Sequence, residues 1–152
     1  GTNGVQALDL VGRKLAANGG RAVQAFFAEI DAFVAENEGD AALAPFTAGL
    51  ASAKAQLQEA TFWLMQNGMT NFENAGASSH DYLQLFGLTA LAYMWALMAK
   101  AASAKAGEEP FYATKLKTGR YFVDRVLPET AAHLAKVKAG ADAMMALDAA
   151  EL

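Results

Sequence analysis

Val23-Gln24-Ala25-Phe26-Phe27-Ala28-Glu29-Ile30-Asp31-Ala32-Phe33-Val34 is the stretch on which the fold turns. Its large apolar residues Val23, Phe26, Phe27, Ile30, Phe33 and Val34 fall at i, i+3, i+4, i+7, i+10 and i+11, with Gln24, Glu29 and Asp31 between them. At about 3.6 residues per turn, that spacing gathers the apolar side chains onto one face of a helix. A strand would show alternation with a period of two, and no stretch of the chain does. The spacing predicts a helix from about Arg21 to Glu38, stopped by Gly39.

Working outward, Leu43, Phe46, Leu50, Ala53, Leu57, Ala60 and Leu64 alternate three and four apart, a heptad seam suited to antiparallel packing. It predicts a helix over about Ala41 to Gln66, with Pro45 in or just before the first turn, where a missing N–H costs little. The polar stretch Asn67–Ala77 reads as a loop. Ser78 and Asp81 fit a capping pattern that opens the next helix, which continues to about Lys105. Within it, Tyr82–Ala99 carries no formal charge and is about long enough to span a bilayer. Its Gln84, Gly87, Thr89 and two tyrosines, and the lack of a flanking basic cluster, favour the central helix of a bundle, so no membrane span is expected. Glu108-Glu109-Pro110 opens a further helix with the stripe Tyr112, Leu116, Gly119, Phe122 and Val126. Pro128 interrupts it before the pattern resumes through Leu134 and Val137 to Gly140. At the front, Val5, Leu8, Leu10, Val11 and Leu15 predict a helix that Asn18-Gly19-Gly20 ends. The expected architecture is all-α, a four-helix up-and-down-type bundle with one extra N-terminal helix. Residues 1–20 form one module, 21–148 the bundle and 149–152 a tail.

Sixteen acidic residues against twelve basic ones make the chain mildly acidic. Lys115, Lys117, Arg120 and Arg125 are the densest cations, but Asp124 and Glu129 break them up, so no nucleic-acid partner is expected. The absence of cysteine excludes disulfides and thiolate chemistry. The opening Gly1-Thr2-Asn3-Gly4 has neither an initiator Met nor a basic-then-apolar leader and reads as a processed or cut end.

Candidate chemistry is sparse. Ser79-His80-Asp81 resembles a triad only as a string, since neighbours in sequence do not face each other on a helix. Glu129 and His133 share a helix face at i, i+4 but lack a third ligand, so no metal site is expected. Trp63, Tyr93, Met94, Trp95 and Met98 could line a ligand pocket and more simply fill a core. No catalytic residue emerges.

Gly1-Thr2-Asn3-Gly4-Val5-Gln6 resembles the segment after the catalytic base of acyl-CoA dehydrogenases, whose pattern is Glu-Gly-Thr-x-x-Ile-Gln; Val5 stands for the commoner Ile. Asp9-Leu10-Val11-Gly12-Arg13-Lys14-Leu15 is similar to the last helix of that family's main domain. Asp81–Gly87, Phe111–Leu116 and Arg120–Thr130 resemble the extra C-terminal helical domain of its methylthiopropanoyl-CoA dehydrogenase-like branch. The resemblance implies a parent enzyme that uses FAD to dehydrogenate an acyl-CoA thioester, with the base just ahead of Gly1. It places Gly1 beside the acyl substrate and Thr2, Asn3 and Gly4 against FAD. It further implies the rest of the same polypeptide as partner, a homo-oligomeric parent, electron-transfer flavoprotein as electron acceptor and a cytoplasmic location. The piece itself is expected to bind no cofactor and to be inactive, serving packing and assembly. Two other readings compete: a phasin-like helical coat or interaction protein, which needs an exposed apolar patch, and a small-molecule binder, which needs a preformed pocket.

Overall fold

The computed structural model describes residues 1–151; Leu152, the last residue of the expected tail, lies outside them. The helices are α1 (Asn3–Asp9), α2 (Arg21–Glu36), α3 (Ala44–Trp63), α4 (Phe72–Ser103), α5 (Pro110–Tyr121) and α6 (Glu129–Ala139). There is no strand among the described residues, and the fold is all-α. α5 and α6 are two halves of one rod that a turn at Leu127-Pro128 interrupts, where the sequence pattern places the break. The preceding segment Phe122–Val126 is a wider turn, Leu127 N–H donating to the Phe122 carbonyl at 2.9 Å. It loosens the carbonyl row where the Pro128 ring needs room.

Contacts fix the topology. α3 and α4 run antiparallel, since Thr61 meets Tyr82 and Ala53 meets Thr89. α4 and the α5–α6 rod are antiparallel as well: Ser78 Oγ donates to the Val137 carbonyl at 2.8 Å, and Trp95 stacks on Phe122. α2 lies parallel to α4, with Phe26 stacked on Phe86 at 5.3 Å and Phe33 edge-on to Tyr93 at 5.7 Å. The result is an up-down-up-down bundle in which α4 touches every other rod. All seven residues of the α3 seam are buried, as are Val23, Phe27, Ile30 and Phe33 of α2. Two core clusters follow, one around Ile30, Leu50, Tyr93 and Phe122, the other around Phe27, Leu57, Tyr82 and Val137. α4 is the one described helix long and apolar enough to cross a membrane, and it serves as the central rod of the bundle.

Three expectations need correction. The helix expected from Ser78 starts two turns earlier, because Asn71 Oδ1 accepts the Glu73 N–H at 2.9 Å and caps it. Ser78 is therefore no cap but a fully buried bridge to α6. The expected loop over 67–77 shrinks to a tight connection after the wide turn Leu64–Gly68. The first helix, by contrast, ends where the sequence predicts: α1 and a wide turn at Leu10–Lys14 lead to Asn18, Gly19 and Gly20, all left-handed with φ of 52°, 68° and 76°.

Candidate functional site

Gly1, Thr2, Asn3 and Gly4 sit together at the N-terminal end of α1, and every one of them is exposed. Thr2 occupies the cap position, but its hydroxyl makes no capping bond; only its carbonyl is engaged, accepting Gln6 N–H at 2.9 Å. A Cβ added at Gly1 or Gly4 would meet nothing within 4 Å, and Gly4 has ordinary helical φ. Nothing in the described residues therefore requires glycine at either place. Beyond them, α1 buries Ala7 and, through Leu10, Val11 and Leu15, closes one end of the second core cluster. Its other side leaves Val5 67% and Leu8 55% exposed. Asp9 is gripped by Arg13 (2.6 Å) and Lys14 (3.1 Å), whose hydrogen bonds hold its carboxyl down at about 2.

The structure separates the other candidates. His80 faces solvent, and Ser79 Oγ donates to the Gly76 carbonyl at 2.8 Å, so the Ser79-His80-Asp81 string is no triad. Glu129 does not share a site with His133. Instead His133 Nδ1 lies 2.7 Å from Asp81 Oδ1, with Lys136 Nζ 3.5 Å from the same oxygen. The pair joins α4 to α6 across 52 positions of sequence, a distance no local pattern reports. An Asp–His pair without a free nucleophile has no acyl-transfer chemistry, and both nearby serines are committed to carbonyls. It reads as an interhelical clamp. No group of three metal-ligating residues occurs among the described residues.

Comparison with known proteins gives these helices a context. The family described as acetyl-CoA dehydrogenase C-terminal like matches residues 26–148, four fifths of the chain. This chain belongs to it. The chain is also 32% identical to the 3-methylmercaptopropionyl-CoA dehydrogenase of Ruegeria pomeroyi over 149 residues, which is 95% of this chain and 25% of that protein. It thus spans about a quarter of the length of the curated relative it matches.

As an acyl-CoA dehydrogenase C-terminal helical domain, the chain packs Trp63, Tyr93 and Trp95 in or against its core. Tyr93 is buried and donates its hydroxyl to Glu29 at 2.9 Å, while Trp95 lies between Phe122 and the Lys115 ammonium, 5.5 Å above its ring. Met94 departs from that expectation, being exposed. None of the three principal clefts is lined by Trp63, Tyr93, Met94, Trp95 or Met98. The most apolar of these clefts, about 170 Å³, lies between the wide turn that follows α1 and the α3–α4 connection and is lined by Val11, Leu15, Leu64, Met65, Met69 and Phe72 among others. It lacks convergent polar groups and is too small for the adenine, pantetheine and acyl parts of a CoA thioester.

Proposed function

We propose that this domain completes and supports an FAD-dependent dehydrogenase acting on acyl-CoA thioesters, and that residues 1–4 belong to its flavin and substrate site rather than to the bundle. The carrying observation is the tetrapeptide itself: two glycines with empty space around them and a cap hydroxyl that caps nothing. Glycine in a helix is disfavoured by roughly 0.5–1 kcal/mol against alanine, less in the first turn, so its presence asks for a close approach from outside. Gly1 suits the place beside the thioester, where a side chain would hold the acyl carbons away. The Thr2 hydroxyl, the Asn3 amide and the Gly4 backbone can hydrogen-bond a flavin ring and phosphates, and their exposure leaves them free to do so. FAD, when bound, supplies the acceptor for the hydride that leaves the β-carbon. The apolar side of α1, Val5 and Leu8, would lie against the rest of the polypeptide. In this reading the proton-abstracting base lies in the rest of the polypeptide, ahead of Gly1, and the isolated chain is expected to fold without activity. Electron-transfer flavoprotein as acceptor, homo-oligomeric assembly and a cytoplasmic location belong to the same reading.

The test compares the 152-residue chain with the longer polypeptide that carries it. FAD content and acyl-CoA-dependent dye reduction are measured in both, and Gly4→Leu is introduced in each. The expected result is flavin and activity in the longer protein alone, with Gly4→Leu lowering both by tenfold or more while the melting curve of the short chain stays put. Tight FAD binding by the short chain, or an indifferent Gly4→Leu in the long one, would overturn the proposal.

A further inference from the structure

α4 carries two heptad seams. The inner one, Tyr82, Leu85, Thr89, Ala92, Ala96 and Ala99, is fully used by the bundle. The outer one, Leu83, Gly87, Ala90, Met94, Leu97 and Ala101, steps by four, three, four, three and four along the opposite face. Gly87, Met94, Leu97 and Ala101 are exposed, Leu83 and Ala90 half-buried, and Leu91 adds a further 51% exposed side chain on the flank. No charged residue lies on this seam. Gly87 is in the middle of a 32-residue helix, has ordinary helical φ, and a Cβ there would meet nothing within 4 Å. A mid-helix glycine with no neighbour is disfavoured in the lone chain and serves where another backbone comes close.

We infer that this face binds the same face of a second copy of the chain, α4 against α4, in antiparallel orientation about a two-fold axis. The residue sizes select both partner and direction. Pairing the seams antiparallel so that position numbers sum to a constant sets Leu97 against Gly87, Met94 against Ala90, and Leu83 against Ala101. Every large residue meets a small one, in the a-against-d' layers that antiparallel coiled coils use. A parallel pair would stack Met94 on Met94 and leave gaps at Gly87, Ala90 and Ala101. A seam facing an unrelated domain has no reason to be complementary to its own reverse, whereas an isologous contact demands it. The missing charge removes like-charge repulsion, which a two-fold axis would otherwise double. The seam runs about 27 Å at 1.5 Å per residue, a length over which helix pairs interlock. The inference deepens the assembly role proposed above by naming the partner, but it stands on α4 alone and says nothing of flavin.

The chain has no cysteine, so introduced thiols report only this contact. Gly87→Cys and Leu97→Cys chains are prepared separately, mixed and oxidised, with sedimentation of the unaltered chain and of Leu97→Glu in parallel. The expected results are a dimer in the micromolar range, a mixed 87–97 disulfide well above either self-pair, and dissociation to monomer in Leu97→Glu. In the antiparallel pair the two copies of position 87 stand about 15 Å apart along the axis, too far for a disulfide. Leu97 is already exposed, so circular dichroism should show Leu97→Glu folded. A monomer insensitive to Leu97→Glu, or self-pairs at 87 dominating, would overturn the inference. So would flotation of the chain with lipid vesicles that Leu97→Glu abolishes while the chain alone stays monomeric, since the face would then read a bilayer. None of these outcomes touches the flavin assay, so the two proposals fail separately.

Discussion

Two helical glycines show how differently the bundle and the N-terminal segment are explained by their own chain. Gly119 of α5 is packed so closely that an added Cβ would sit 2.8 Å from Phe46 and 2.9 Å from Trp95. Gly4 of α1 has open space on all sides. In residues 21–139 the two core clusters and Gly119 answer to close neighbours, while the outer face of α4 and the side chains of Phe62, Phe72, Phe111 and Tyr121 stay exposed. In residues 1–8 the glycines, the free cap hydroxyl and the exposed Val5 and Leu8 answer to nothing described. A residue that its own fold does not need is a candidate for contact with something else: a second copy for the outer face of α4, and, in the reading proposed above, the flavin and thioester for residues 1–4.

The sharpest way to test the bundle half of that contrast is Phe27→Ala. The ring is 3% exposed in the second core cluster, under the Lys54 ammonium, and its loss should cost about 3–5 kcal/mol in denaturant unfolding. A cost below 1 kcal/mol would mean that the core is far looser than its burial suggests. Gly119→Ala should follow at about 1–3 kcal/mol, because Phe46 and Trp95 would have to leave their positions. The matching Gly4→Ala should leave stability unchanged or slightly raised. Equal effects at the two glycines would erase the distinction between the regions.

These features are partly legible in the sequence alone. The 3–4 alternation of Leu43 to Leu64 puts all seven residues inside, and Pro45 and Pro128 fall at a helix start and a break because proline's missing N–H and ring allow little else. Ser78-x-x-Asp81 misled because a local capping pattern competes with a tertiary bond: Ser78 reaches Val137, 59 residues away. The signal that would have found the true start is Asn71 followed by Glu73, hidden in a polar stretch that reads as loop. The Asp81–His133 clamp was invisible for the same reason of distance. Periodicity also says which face of α1 and α4 is apolar without saying what covers it, so the exposed Val5, Leu8 and outer α4 seam emerge only with the packing.

Tyr82→Phe probes the bundle interior by pH. Burial pushes the Tyr82 hydroxyl up from 10 to about 12, partly offset by its hydrogen bond with Thr61 at 2.8 Å. The folded state then holds this proton more tightly than the unfolded chain, so the stability it contributes is intact below pH 10 and is lost as pH rises towards 12. The variant should lose about 1 kcal/mol at neutral pH, for the missing hydrogen bond, and should flatten the alkaline fall. An unaltered alkaline limb would place the ring in water.

Asp9→Asn is the smallest expected effect and bears on the other half of the contrast. Asp9 is held at about 2 by Arg13 and Lys14, against an ordinary 3.8. A lowered carboxyl pKa favours the folded state above 3.8 and loses that favour as pH falls towards 2, so any contribution should vanish across that acid window. The ion pair is on the surface, where screening leaves little of it, and α1 has a stronger hold through Ala7, Leu10, Val11 and Leu15. Thermal melts of Asp9→Asn at pH 7 should therefore nearly superimpose on those of the unaltered chain, with any small gap closing by pH 2. A large loss at pH 7 would show that α1 is attached by charge rather than by its buried side. The N-terminal segment would then be loosely held, and its exposed tetrapeptide would lack the fixed geometry that a flavin and thioester site requires.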